Sequence, residues 1–320
     1  MDRALFLSHA SAISDQLRAH SVETPGGGIT WHAPPAPGQQ PPRTNLGPHL
    51  YEGVLGVALF LAALDHVRER TEHRELVLRT ITPLRLTLRE LVRDHDRAAR
   101  LRLQVGGFVG LGAFLYSFLR IGRWLGEPAL IEEAHDLTVL LTRERIGSDD
   151  RLDLVDGCAG TVLALLALDQ AAPGPNAGGA TPLELASACA GHLLDRRISY
   201  DGRPRAWAAP GKPPLSGFAH GATGIGYALL RLFARTGNEA LRDAALEGFA
   251  FERSLFDRGA GNWLDLRYGH LLEQSAWCHG APGAALGRLG VLDVCGADTE
   301  IHEELAGFLR STRSMPDAPL

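Results

Sequence analysis

Lysine is almost missing from this sequence: Lys212 stands alone among 32 basic residues, and arginine supplies the rest. The arginines are scattered and form no stripe, and the formal charge is -5. Nucleic acid and anionic membrane are therefore excluded as main partners. Cysteine is also scarce. Cys158, Cys189, Cys278 and Cys295 form no CxxC pair and no small-domain disulfide spacing, which excludes a disulfide-held scaffold. Long apolar runs are absent too. The longest, from Val54 to Leu64, is far too short to cross a bilayer, so no transmembrane segment is expected. The opening MDRALFLSHASAISDQ carries acidic residues early and lacks an uninterrupted apolar core, so it is no secretory signal. A cytoplasmic protein is the default expectation.

What is present in abundance is glycine, and it is phased. A pair of glycines three apart, followed by small and aliphatic residues, occurs five times: Gly53/Gly56, Gly107/Gly110, Gly157/Gly160, Gly221/Gly224 and Gly280/Gly283. The interval is roughly 50–65 residues, longer than the usual helical-hairpin repeat. Each pair leads into a run that is apolar nearly all round, such as TVLALLAL or IGYALLRLF, the pattern of a helix buried on every side. Between these lie amphipathic stretches, among them ELVLRTITPLRLTLRELV, LIEEAHDLTVLLTRE and NEALRDAALEGFAFERSL. Their apolar residues recur at spacings of three and four. Alternating buried and surface helices predict an all-α fold, an α/α toroid with inner helices around an axis and outer helices wrapping them. Loops rich in Pro and Gly at 22–48 and 171–182, and a further loop from Arg197 to Ser216, interrupt the pattern without demanding a domain boundary. The expectation is one domain over residues 1–320, with an N-terminal helix and lead-in over 1–48.

The glycines admit two readings. Glycine at a helix start lets a neighbouring backbone approach closely, or it leaves amide N–H groups free to meet an anion or polarised ligand. Phasing also places equivalent positions around one rim. Immediately before each pair stand Glu52, Gly106, Asp156, His220 and His279; one place earlier stand Tyr51, Val105, Val155, Ala219 and Cys278. Four of the first five can carry charge, which packing alone does not favour. Cys158, inside a glycine pair, reads as a small packing residue.

Two of these rim segments carry a specific resemblance. Ser275-Ala-Trp-Cys-His-Gly-Ala-Pro-Gly283 and Gly217-Phe-Ala-His-Gly-Ala-Thr-Gly224 resemble the cysteine-bearing and His-Gly signatures of lanthionine synthetase C-like proteins. The Asp153-Leu-Val-Asp-Gly run also matches, as do the Leu50-Tyr-Glu-Gly and Phe251-Glu-Arg-Ser-Leu-Phe segments, the last two especially in the cyclase part of class II lanthipeptide synthetases. The resemblance runs from about residue 45 to the end.

It implies a cyclase that adds a cysteine thiol of a precursor peptide to dehydroalanine or dehydrobutyrine, forming a thioether. A zinc ion held by two cysteines and one histidine is implied as well, binding the substrate thiol and lowering its pKa. Carried over by position, Cys278 matches a metal ligand, His220 the acid/base histidine and Asp153 the aspartate beside it. His279, next to the ligand, and the rim residues Asp156 and Glu52 are assigned to substrate binding. The implied partners are the dehydrated precursor peptide and a dehydratase domain or protein.

Two departures qualify the match. Where the family often carries an arginine shortly before the cysteine, this sequence has Gln274, leaving Arg267 and Arg288 as candidates to supply a guanidinium. A later Cys-His-Gly motif, the family's source of further zinc ligands, does not occur, and five repeats stand where seven are expected. A three-ligand catalytic zinc is thus expected to be incomplete in this chain, as in a fragment or a truncated product, and ring closure by the chain alone is not expected. Two rivals remain: a non-catalytic peptide- or thiol-binding module derived from a cyclase, and an α/α-toroid glycosidase using Glu52 and Asp156 as its carboxylate pair.

Overall fold

The computed structural model describes residues 2–33, 44–260, 262–271, 276–296 and 299–313. Gln274 and the stretch from Met315 to Leu320 lie outside them. The chain opens with helix α1 (Arg3–Ala19) and a short hairpin of β1 (Val22–Glu23) and β2 (Ile29–Thr30). The helices that follow come in pairs. Helix α2 (Val54–Arg68) is followed by α3 (Arg74–Arg93) and the short α4 (His95–Arg100). Next come α5 (Leu111–Leu125), α6 (Pro128–Asp136) and α7 (Arg143–Gly147), then α8 (Cys158–Asp169) with α9 (Pro182–Asp195). The fourth pair is α10 (Ala222–Thr236) with α11 (Glu239–Arg253). A three-stranded antiparallel sheet follows, β3 (Phe256–Asp257), β4 (Asn262–Asp265) and β5 (His270–Leu271). Helices α12 (Ala281–Leu289), α13 (Leu292–Cys295) and α14 (Thr299–Arg313) complete the described chain.

The expected two-layer arrangement is present. Helices α2, α5, α8, α10 and α12 pack one on the next, and each is backed by an outer helix: α3, α6, α9, α11 and α14. Helix α8 is buried along almost its whole length, from Cys158 to Asp169, as an apolar surface all round requires. Outer helices bury one stripe only. Local signals explain their limits: Thr181 and Glu184 form a capping box at the start of α9, Asn238 caps α11, and Gly126 and Gly237 end α5 and α10 in the left-handed conformation. One hydrophobic cluster extends from Leu55 to Ile301.

Two elements differ from the periodicity. The stretch LIEEAHDLTVLLTRE is not one helix. Helix α6 tightens into a 3-10 turn at Leu137–Leu140, where Thr138 Oγ1 donates to the His135 carbonyl, and α7 restarts behind a Thr142 cap. Side-chain bonds of this kind compete with a continuing helix. The three-stranded sheet was not legible either, because strands of two to four residues show no measurable alternation.

The glycine pairs are explained by packing. In all five repeats the carbonyl of the residue six places before the second glycine, namely Leu50, Gln104, Leu154, Phe218 and Trp277, occupies the space a Cβ would take at Gly56, Gly110, Gly160, Gly224 and Gly283. Each helix is thus overlain by the loop leading into it. That loop also satisfies the helix-start amides: Leu111 and Gly112 donate to Gln104 and Val105, Ala159 and Gly160 to Leu152 and Asp153, Ala222 and Gly224 to Leu215 and Gly217. Close approach therefore prevails over the anion-site alternative at α5, α8 and α10.

The loops are joined to each other as well. The amides of Leu50 and Tyr51 donate to the Phe108 carbonyl (3.1 and 3.2 Å), and Phe108 donates to Val155 (3.0 Å). Leu154 donates in turn to Ala219 (3.2 Å), and Ala219 to Cys278 (3.4 Å). A continuous line of backbone hydrogen bonds follows the rim through all five repeats. Gly224→Ala should lower unfolding stability by about 2–3 kcal/mol through forced displacement of the loop. At Gly174, where a Cβ meets nothing within 4 Å, alanine should stay within about 0.5 kcal/mol of wild type. Urea unfolding of the two variants measures both, and equal midpoints would refute the close-approach account.

Candidate functional site

The rim loops carry their polar side chains to one place. His220 Nδ1 donates to Asp153 Oδ2 at 2.7 Å, which joins the loop before α10 to the loop before α8. The other oxygen, Asp153 Oδ1, accepts the Asp156 amide at 2.7 Å. With Nδ1 engaged as donor, the His220 Nε2 is left to accept or release a proton. The Asp153 hydrogen bond raises the pKa of His220 more than burial lowers it. Asp156 completes the group: ligand atoms of Asp153, Asp156 and His220 all lie within 4.8 Å of one another. Burial, and next the neighbouring Asp153 charge, raise the pKa of Asp156.

The fifth loop closes on this group from the other side. The His279 ring stacks on His220 with centroids 5.6 Å apart. Arg267 follows β4 and its NH1 lies 3.3 Å from His279 Nε2. The guanidinium is held in place by Asp265, with Nε at 3.0 Å from both carboxylate oxygens and NH2 at 2.5 Å from Oδ2. His279, which it contacts, directly follows Cys278 on the fifth rim loop. Burial, reinforced by the Arg267 charge, lowers the pKa of His279. Two neighbouring histidines thus have opposite shifts, the arrangement that separates a proton donor from a neutral partner.

Below the site a buried ion network holds the His220 loop. Glu252, fully enclosed, accepts from the amides of Gly217 (2.7 Å) and Thr223 (3.0 Å) and from the Thr223 hydroxyl. Arg288 lies between Glu252 (2.8 Å) and Glu304 (2.6 Å) and under the rings of Phe249 and Trp263. Arg288 is therefore removed as a rim guanidinium: two carboxylates hold it in the core. Glu252 has a role that motif matching did not assign, although an acidic residue directly after Phe251, on the same buried face as Gly248 and Phe249, was the available signal.

Residues 44–314 match the family model described as lanthionine synthetase C-like protein. The chain belongs to that family. Among solved structures, a nisin cyclase aligns over 83% of this chain and 70% of its own, at 15% identity and a TM-score of 0.52. That likeness fixes the fold of this lanthionine synthetase C-like chain as the all-α toroid. A family 76 glycoside hydrolase from a bovine Bacteroides thetaiotaomicron strain aligns over 96% of this chain and 67% of its own, at 12% identity and a TM-score of 0.45. No curated protein matches.

Of the residues assigned from sequence, Asp153, Asp156, His220, His279 and Cys278 occupy consecutive rim loops. Glu52 is exposed on the first loop with a left-handed φ of 59° and is not part of the Asp153–Asp156–His220 group. The zinc set implied by the resemblance does not fit the residues described. Cys158 on α8 and Cys189 on α9 are buried in the core, and Cys295 ends α13. Cys278, next to His279 in the chain, is then the one cysteine on a rim loop. The single convergent set of three potential ligands among the described residues contains no sulfur. No described helix is long and apolar enough to cross a membrane.

The shift of His220 makes a signed prediction. Its folded pKa lies above the ordinary 6.5, so the pair with Asp153 stabilises the fold fully below about pH 6.5, the unfolded-state value. That contribution disappears as pH rises through the folded value. In an NMR titration His220 should have its midpoint above 6.5 and His279 below it. Asp153→Asn should bring His220 down, and coincident midpoints in wild type would contradict the assignment.

Proposed function

We propose that the chain acts as a thioether-forming cyclase on a peptide that carries dehydroalanine or dehydrobutyrine and a cysteine. The observation that supports this most is the His220–Asp153 pair stacked on His279, which meets Arg267 and follows Cys278 in the chain. Addition of a thiol to a dehydroamino acid needs one proton moved and one transient negative charge stabilised. The S–H proton passes to His220 Nε2, sulfur bonds to the β-carbon, and the π pair shifts onto the α-carbon and its carbonyl as an enolate. His220 then returns its proton to the α-carbon, so nothing is gained or lost overall.

Asp153 holds the imidazole in the tautomer this requires and stabilises its cationic form. Arg267, held by Asp265, is placed to stabilise the enolate oxygen. It takes the part for which the resemblance would have placed an arginine near Gln274. Since the described residues assemble no sulfur-rich ligand set, no step is assigned to zinc. Asp156 and His279 line the rim where the peptide would lie. Dehydration is left to a separate domain or protein. The buried thiols Cys158 and Cys189, held in no disulfide, suit a reducing compartment, the cytoplasm.

Ring closure is read by loss of free thiol from a dehydrated peptide in zinc-supplemented buffer. His220→Asn should slow it by about 10²-fold or more, in the range of a lost general acid/base, and Arg267→Gln should slow it without altering the His220–Asp153 bond. Closure at the wild-type rate in His220→Asn would overturn the mechanism. Failure of the wild-type chain to consume thiol at all would favour the non-catalytic peptide-binding reading.

A further inference from the structure

Beside the polar corner lies an aromatic one that the mechanism above does not use. Trp277, adjoining Cys278, has its ring 5.8 Å from Phe108 and 6.5 Å from Tyr51. The three rings come from three different rim loops, those preceding α2, α5 and α12. Large aromatic side chains are normally well buried, yet Tyr51 is 47% and Trp277 36% exposed. Their backbones are nevertheless held. Tyr51 donates to the Phe108 carbonyl, Phe108 donates to Val155, and the Trp277 carbonyl is seated over Gly283. A half-open aromatic surface with anchored backbones thus includes the rim loop that also carries Cys278 and His279.

We infer that Tyr51, Phe108 and Trp277 form a subsite for the dehydroamino acid itself, one that distinguishes it from the serine or threonine that precedes it. This rests on the cyclase reading. In dehydroalanine and dehydrobutyrine the α-carbon, β-carbon, amide and carbonyl are conjugated and flat, and the side chain has no polar group. A flat, polarizable group lies well against an aromatic face and gains dispersion and offset-stacking contact there. Serine or threonine is tetrahedral at the α-carbon and brings a hydroxyl. Laid on the ring faces, that hydroxyl exchanges part of its hydration for contact with carbon, which costs free energy. The subsite would therefore admit a peptide after dehydration and reject it before.

The test separates binding from chemistry. A synthetic peptide with one dehydrobutyrine and no cysteine, and its threonine counterpart, are titrated against the full chain by tryptophan fluorescence, with Trp277→Phe identifying the signal of that ring. The dehydrated peptide should bind about tenfold more tightly. Tyr51→Leu and Trp277→Ala, each checked for an unchanged thermal midpoint, should reduce that preference to near unity with little change for the threonine peptide. Should either variant fail to fold, Phe108→Leu and the Trp277→Phe protein, which should keep the preference, carry the comparison. Equal affinity for the two peptides in wild type, or a preference that survives all the substitutions, overturns the subsite. Ring closure on a cysteine-bearing peptide is measured in parallel. Selective binding without closure upholds the subsite and sinks the cyclase reading; closure without selectivity does the reverse.

Discussion

The rim loops before α5, α8 and α10 each satisfy two partners with one short backbone. Their carbonyls take up the first amides of the helix that follows, and other N–H and C=O groups bond to the loop of the neighbouring repeat. Buried backbone groups left without partners are costly, so neither set of bonds can be released alone. The positions of the site residues on the rim loops follow from this double use. Asp153, His220 and Cys278 stand on three successive loops, and the bonds from Leu154 to Ala219 and from Ala219 to Cys278 set the spacing between them. Glycine enters because only its missing side chain lets a carbonyl lie directly on the helix start.

The same arrangement explains why buried charge is tolerated below the site. Glu252, Arg288 and Glu304 are almost wholly enclosed, a placement that is expensive unless each charge is paired and hydrogen-bonded. Here the charges meet each other, and Glu252 also takes two amides and a hydroxyl from either side of His220. The network ties α11, α12 and α14 to the loop that bears the imidazole. Its visible consequence is the fixed placement of the loop that bears His220.

Much of this was visible in the amino-acid order. Phased glycines and apolar runs revealed the five hairpins and the two layers, because a helix buried on all sides and one buried on a stripe differ in composition. The rim positions before Gly157, Gly221 and Gly280 picked out Asp156, His220 and His279 for the same reason. What sequence could not show were the consequences of distance. Arg267 reaches the site from a sheet whose strands are too short to leave a periodic trace, while Arg288, closer in sequence to Cys278, is held in the core by Glu252 and Glu304. Glu52 shares its register with the site residues, but its loop precedes the first inner helix and the cluster forms around later ones.

The hydrogen bond between Asp153 and His220 spans two repeats, and so it has a place in time as well as in space. A chain made from its N-terminus presents its hairpins in order, and each docks on the one before it. Asp153 is available as soon as α8 has packed on α5. The imidazole that it orients arrives one hairpin later, and the loop bearing Cys278 and His279 later still. A nascent chain therefore has its scaffold well before Asp153 meets His220, and on the proposed mechanism a partly made toroid would have no proton-transfer pair.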